Sequence, residues 1–273
     1  MRTDPNALYQ RDGFYIHDQA VLSPEVVDPA VVGMDGVRGG EYDTGVPPRA
    51  SAWSPGDDET LLCKIEKPQI ANRAIMELIL DPALAALAAK VTGTKWIQVW
   101  WVQLLYKPSN AAGATNGVNV GWHQDRNYWE AWEEGSELFT AWVGLSEVGK
   151  DAGPMKFVEG SHRWGLLQGS DFFGQDLDGV KSEMSLPDGV GWKEASATMP
   201  KGGVSFHDCL TLHGSGANVS AGPRRSLAIH MRTDQSRPVD HKRAGLTAYI
   251  DDPDYCPVVW NKSTLYDKRE KVT

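Results

Sequence analysis

From residue 96 onward the chain is written in short apolar runs rich in β-branched and aromatic residues. WIQVWWVQLLY (96–106), LFTAWVGLSEV (138–148), MKFVEGS (155–161), GGVSFH (202–207) and RRSLAIHMRT (224–233) are the clearest. Gly, Pro, Asn and Asp separate them, so each reads as a strand bounded by turns. Long loops are expected at 108–121, 166–200 and 234–273. A series of short strands must close into a sandwich or barrel to bury its faces and protect its edges.

The N-terminal part has a different character. LSPEVVDPAVVGM (22–34) carries a helix start, with Ser23 as cap, Pro24 in the first turn and Glu25 near the positive end of the dipole. Residues 6–20 mix a short helical start with the strand-like GFYIHD, and residues 35–60, rich in Gly, Pro, Asp and Ser, read as a loop. In KPQIANRAIMELILDPALAALAAKVTG (67–93) apolar residues recur at three- and four-residue spacing. Asp81-Pro82 is expected to divide it into two helices, and Gly93 to close the second. Without an internal repeat, low-complexity segment or linker, the expectation is one domain over 1–273. It comprises a helical part to about 95, a β core at about 96–235 and an extension at 236–273.

Composition narrows the functional classes. A net charge of −9 argues against a nucleic-acid partner or an anionic membrane surface. Cys63, Cys209 and Cys256 are odd in number and form no CxxC, so neither a disulfide framework nor a cysteine zinc site is suggested. The opening residues show no apolar signal core and no run approaches a membrane span. A cytoplasmic protein acting on a small molecule is expected, as a monomer or homodimer. Eleven Trp are many for 273 residues; most are expected in the core, some in a pocket wall.

WHQDRNYW (122–129) places His123 and Asp125 two apart. On an extended strand both project to one face, with Trp122 and Gln124 on the other. They would be two of the three ligands of a 2-His-1-carboxylate site, which suits Fe(II) and leaves positions open for substrate and O2. Alone, such a pair is more often a solvated or hydrogen-bonded polar pair than a metal site, since about one HxD is expected by chance in a chain like this. A second histidine must come from afar: His17, His162, His207, His213, His230 or His241. His213 stands in LTLHGSGANVSAGPRR, where a strand-like run enters a Gly-rich turn and two arginines follow. An iron oxygenase that draws electrons from a 2-oxo acid needs a cation near its third ligand for the distal carboxylate.

HQD (123–125) together with LHGSGANVSAGPRRSLAIH (212–230) resembles the phytanoyl-CoA dioxygenase family of Fe(II)/2-oxoglutarate oxygenases. LYQRDGFYIHDQAVLSPE (8–25), ILDPALAALAAKVTG (79–93) and AWVGLSEVGKDAGPMKFVEGSHRWG (141–165) extend the likeness over about residues 8–235. The resemblance implies a mainly β fold with flanking helices: a double-stranded β-helix, the cupin-like jelly roll, with N-terminal helices on the major sheet. It implies His123, Asp125 and His213 as iron ligands and Arg224 as the arginine for 2-oxoglutarate. Arg225 is the alternative. Parity favours Arg224, because Arg225 shares the face of Leu227, Ile229 and Met231 that suits packing beneath the sheet. Ser215, on the face of His213, is expected to add a hydroxyl to the same carboxylate. Trp142 matches a family tryptophan lining the co-substrate site, with a core tryptophan as the alternative. Gln103, polar on an apolar strand, either faces the pocket or makes a core hydrogen bond. His162, His207, Asp208 and His230 are expected to support the site or the core.

The implied reaction hydroxylates an unactivated C–H with Fe(II) and O2 while 2-oxoglutarate becomes succinate and CO2. Desaturation, cyclisation or epimerisation on the same centre is the alternative, and a non-catalytic barrel the remoter one. Related halogenases replace the carboxylate by a small residue, so Asp125 argues against halogenation. Asn127, Tyr128 and Trp129, with Trp132 and the loop 110–121, are the substrate candidates; Arg126 and Arg163 are candidates for meeting an anion. A CoA ester would call for a basic collar, which this acidic chain does not display.

Overall fold

The computed structural model describes residues 4–49, 51–111, 118–240, 243 and 245–262. Helix α1 (Pro5–Asp12) is capped by Asp4 and stopped by Gly13 at φ 84°, which turns the chain into strand β1 (Phe14–Ile16). Helix α2 (Pro24–Gly39) starts after Ser23 as expected but runs through residues 35–39, which the sequence suggested as loop. Its glycines weaken helix propensity, and burial of Val27, Ala30, Met34 and Val37 on one face outweighs that loss. Gly40 at φ 88° ends it.

Helices α3 (Arg73–Ile79) and α4 (Pro82–Thr92) are divided at Asp81-Pro82 as expected. Asp81 accepts from the amides of Ala83 and Leu84, and Gly93 closes α4 at φ 77°. A β-carbon on Gly33 would lie 2.2 Å from Asn72 Oδ1, so α2 and α3 approach closely because Gly33 has none.

The strands that follow are β2 (Cys63–Glu66), β3 (Trp96–Lys107), β4 (Val120–His123), β5 (Leu138–Gly144) and β6 (Met155–Val158). Then come helix α5 (Leu177–Glu183) and strands β7 (Glu194–Ser196), β8 (Val204–Asp208), β9 (His213–Ser215), β10 (Arg224–Thr233) and β11 (Val258–Asn261). The five sequence runs became β3, β5, β6, β8 and β10. The segments expected as long loops contain α5, β7 and β11 as well. Of the loop at 110–121, residues 112–117 lie outside the described residues, as does His241.

Two antiparallel sheets face each other in a jelly roll. The major sheet runs β1-β8-β5-β10-β3-β11, with β2 on the other end of the long β3; the minor sheet runs β4-β9-β6-β7. Strict alternation on β10 decides what lies on each side. Leu227, Ile229 and Met231 pack outward against α2, α3 and α4, in a core with Met34, Ile75 and Leu84. Arg224, Ser226, Ala228 and His230 point between the sheets. There one end is apolar, with Phe14 stacked on Phe157 at 4.9 Å beside Trp142 and Met199. The other end is polar and holds the candidate site.

Candidate active site

The minor sheet brings two distant histidines together. His123 ends β4, His213 begins β9, and the two are register partners. The chain stays extended through Gln124, then Asp125 opens a 3-10 turn over Asp125–Tyr128. Gln124 points away and holds Gly165, Leu210 and Leu167 backbone; Trp122 packs on Trp192. Asp125 Oδ1 lies 3.7 Å from His123 Nε2 and 3.6 Å from His213 Nε2. One ligand atom from each of the three falls within 4.8 Å of the others.

This donor set fits a ferrous ion. His123 Nδ1 meets Gly121 O at 2.8 Å, and His213 Nδ1 meets Thr211 O at 2.9 Å. A carbonyl only accepts, so both Nδ1 atoms carry the proton and both Nε2 lone pairs face Asp125. Burial lowers both imidazole pKa values, which favours the neutral, ligating form. Burial alone would push the Asp125 carboxyl up. The imidazoles around it, His213 first, and a hydrogen bond from His207 more than offset this and hold it well below the usual range.

Asp125 is oriented from behind. Its Oδ2 accepts from Thr140 Oγ1 at 2.8 Å and faces His207 Nε2 at 3.2 Å. Thr140 Oγ1 also lies 2.8 Å from His230 Nδ1. The hydroxyl proton goes to Asp125, so His230 donates from Nδ1 and keeps Nε2 as a lone pair. Burial lowers the His230 pKa to about 4, so the ring is neutral.

The cavity that this cluster lines is also lined by Arg224 and Ser215, and Lys107 is buried behind Ser215. Arg224 and Lys107 are 1% and 0% exposed, and neither has a carboxylate partner among the described residues. Lys107 Nζ donates to Ser215 Oγ at 2.7 Å and to Gly216 O at 2.8 Å. Arg224 donates to Gly153 O, lies over the Trp142 ring at 5.3 Å and leaves its Nε unpartnered; Trp142 Nε1 is unpartnered too. Burial lowers the Arg224 pKa to about 10; burial and then Arg224 itself push Lys107 well below the ordinary lysine value. Two buried positive groups with free donors make a site for a carboxylate. Arg225 points the other way, paired with Asp35 on α2 at 2.8 Å.

An outer cavity of about 450 Å³ opens onto His123 and Asp125. Trp101, Tyr128, Trp129 and Phe172 form its walls, with Lys64 and Glu66 from β2. Gln103 lies between the two spaces and lines both. Asn127 is exposed and lines neither. Trp132 sits in the core against Trp100 at 5.3 Å. Arg126 is engaged by Trp129 O and Trp132 O, and Arg163 with His162 packs on the backbone of α1, so none of these reaches the cavity. Asp208 caps the turn after β8 through Leu210 N.

Sequence reading overlooked Lys107, Thr140, Phe172 and the pair Lys64 and Glu66. Lys107 carried a signal: it ends an apolar run on the same parity as Gln103. Thr140 carried none.

A jelly roll whose open end joins a two-histidine, one-carboxylate cluster to an anion chamber has the architecture of iron- and 2-oxoglutarate-dependent oxygenases. The profile of the phytanoyl-CoA dioxygenase (PhyH) family matches residues 9–226, and the chain belongs to that family. An ectoine dioxygenase of Bordetella bronchiseptica is 26% identical, covering 80% of this chain and 71% of its own. A probable alpha-ketoglutarate-dependent hypophosphite dioxygenase of Stutzerimonas stutzeri is 26% identical over 64% of this chain and 58% of its own. Among solved structures, the non-heme alpha ketoglutarate dependent carbocyclase SnoK from nogalamycin biosynthesis superposes with a TM-score of 0.69. It is 21% identical, covers 91% of this chain and 90% of its own, and shares the fold. No helix among the described residues is long and apolar enough to cross a membrane.

Proposed function

We propose that the protein is an Fe(II)- and 2-oxoglutarate-dependent dioxygenase that hydroxylates an unactivated C–H of a small molecule. Iron with 2-oxoglutarate supplies the activation of O2. The observation that carries the reading is one cavity shared by two features. Three convergent ligand atoms with their tautomers fixed line it together with Arg224, a buried cation without a carboxylate partner among the described residues, and Ser215, behind which Lys107 is buried.

In this reading His123, Asp125 and His213 hold the metal. Thr140 and His207 keep Asp125 ionised and aimed, as partners behind a ligand do elsewhere. Arg224 and Ser215 take the distal carboxylate of 2-oxoglutarate, with Lys107 behind Ser215, Trp142 beneath and Gln103 at the edge. Tyr128 and Trp129 contact the substrate from the cavity wall, whereas Asn127, exposed on the same turn, lines no part of it. The names of the relatives, an ectoine and a hypophosphite dioxygenase, support a small substrate over a CoA ester. We read residues 1–273 as one oxygenase domain. Three free, buried cysteines suit a reducing compartment such as the cytoplasm.

The test is succinate formation from 2-oxoglutarate under air with added Fe(II), across a broad panel of small molecules. Iron-dependent succinate supports the reading. No succinate, coupled or uncoupled, together with no bound iron would overturn it.

A further inference from the structure

The wall of the outer cavity is aromatic, with one fixed anion and one fixed cation set into it. Lys64 and Glu66 are two apart on β2 and share a face; β2 lies on β3 with Lys64 opposite Leu105 and Glu66 opposite Gln103. Their side chains are partly buried and their charges meet at 3.2 Å. Glu66 is positioned from three sides. Its Oε2 accepts from Trp101 Nε1, and its Oε1 accepts from Gln103 Nε2 at 3.4 Å as well as facing Lys64. A carboxylate offers about four lone-pair sites, so roughly one remains for the cavity. Lys64 has three donors, of which one faces Glu66; its Nζ lies 4.7 Å from the centre of the Phe172 ring.

Further groups favour a donor-bearing, cationic body. His230 lines the cavity with a neutral ring, and its Nε2 has no partner among the described residues. Trp101, Tyr128, Trp129 and Phe172 present ring surfaces, which attract ammonium and amidinium groups. A purely anionic molecule would meet Glu66 and Asp125, and a purely cationic one would meet Lys64. Lys64 and Glu66 already match one another, and a molecule with both charges is the one that can extend that pair at both ends, its cation on Glu66 and its anion on Lys64.

We infer that the outer cavity is a zwitterion site. Glu66 receives the ammonium group and Lys64 the carboxylate of an amino-acid-class substrate, whose apolar body lies against Trp101, Trp129 and Phe172 beside the iron ligands. This rests on the dioxygenase reading above and names the substrate class for it. Glu66 and Lys64 act as specificity-determining residues.

The test uses the full chain with Fe(II), 2-oxoglutarate and air. The probes are proline, leucine and phenylalanine, each as the free amino acid, the N-acetyl derivative and the methyl ester, with methyl glucoside as a neutral probe. The readout is succinate formed above the uncoupled rate. The free amino acids are expected to stimulate more than either blocked form by about tenfold, the size of one charge-assisted hydrogen bond. Glu66→Gln should narrow the gap between free and N-acetyl forms, and Lys64→Gln the gap between free and ester forms. General damage to the fold would not produce that crossed pattern. Equal or better stimulation by blocked or neutral probes overturns the inference, as does uncoupled succinate with no stimulation by any free amino acid. Absence of all succinate and of bound iron instead overturns the dioxygenase reading itself. The wild-type panel decides the sign, so a variant that fails to fold leaves the test standing.

Discussion

Arg224 and Arg225 are neighbours in sequence and face opposite environments. Arg224 is sealed between the sheets with Trp142, and Arg225 forks onto Asp35 through Nε and Nη2 at 3.1 and 2.8 Å. Arg224→Ala should raise the 2-oxoglutarate KM by roughly ten- to a hundredfold, the loss expected for a charge-assisted contact. Arg225→Ala should leave that KM alone and cost about 0.5–1 kcal/mol of stability, as partly exposed pairs do. Steady-state kinetics beside urea unfolding separates the two. Lys107 gives a prediction of opposite sign for fold and function. It is a buried cation beside another cation, its charged form disfavoured by burial and then by Arg224. Lys107→Met should stabilise the apo-protein by about 1 kcal/mol or more while raising the 2-oxoglutarate KM. A destabilised apo-protein would mean that its bonds to Ser215 and Gly216 outweigh the repulsion. The parity of RRSLAIHM already separated the arginines, because each strand residue has only two faces to choose from. His207 and His230 could be named as supporting residues but not placed, since their partners Asp125 and Thr140 come from other strands.

At the scale of elements, two glycines of α2 should behave oppositely. A β-carbon at Gly33 would strike Asn72, whose Oδ1 caps α3 by accepting from Ile75 N at 3.1 Å. At Gly36 the nearest atoms lie at 3.7 Å, an ordinary contact. Gly33→Ala should cost about 1–3 kcal/mol through overpacking, and Gly36→Ala should gain up to about 1 kcal/mol from helix propensity. Urea unfolding of the pair checks this. Asp208, at the end of β8, supplies a pH dependence. Burial raises its pKa from 3.8 to about 6. The folded state therefore binds the proton more tightly than the unfolded one. The stabilisation is fully present below about pH 4 and is lost as pH rises through 6, by roughly 3 kcal/mol at 1.4 per unit. Asp208→Asn should flatten the stability profile over that window; an unchanged profile would assign the slope to other groups. The glycines explain why residues 35–39 read as loop: local propensity was poor, and the burial that holds the helix is tertiary. Strands β3, β5 and β10 were legible because their apolar runs are long. β9 was legible only in part: the sequence shows a strand-like run ending at His213, whereas the strand runs from His213 to Ser215 with Gly at its centre.

For the whole molecule, stability and chemistry are divided between the two faces of the major sheet. Helices α2–α4 bury an apolar layer on its outer face, and that layer has no polar task. The inner face is free to carry buried charge at one end, where the fold tolerates two cations and a carboxylate within a few residues of an apolar plug. That division was legible in outline, since the sequence shows helices first and strands after. The substrate wall was less so, because it is assembled from β2, β3, the turn after β4 and the segment before α5, which no spacing connects. The central claim is that one site joins iron and 2-oxoglutarate, and it is tested most directly by anaerobic titration of the Fe(II)-loaded protein with 2-oxoglutarate. The visible metal-to-ligand charge-transfer absorption of the chelate reports the complex. The wild type should develop the absorption and saturate with it, Arg224→Ala should need more 2-oxoglutarate to reach it, and His123→Ala should bind no iron and show none. A wild type that binds no iron, or binds iron and shows no absorption at saturating 2-oxoglutarate, would contradict the account.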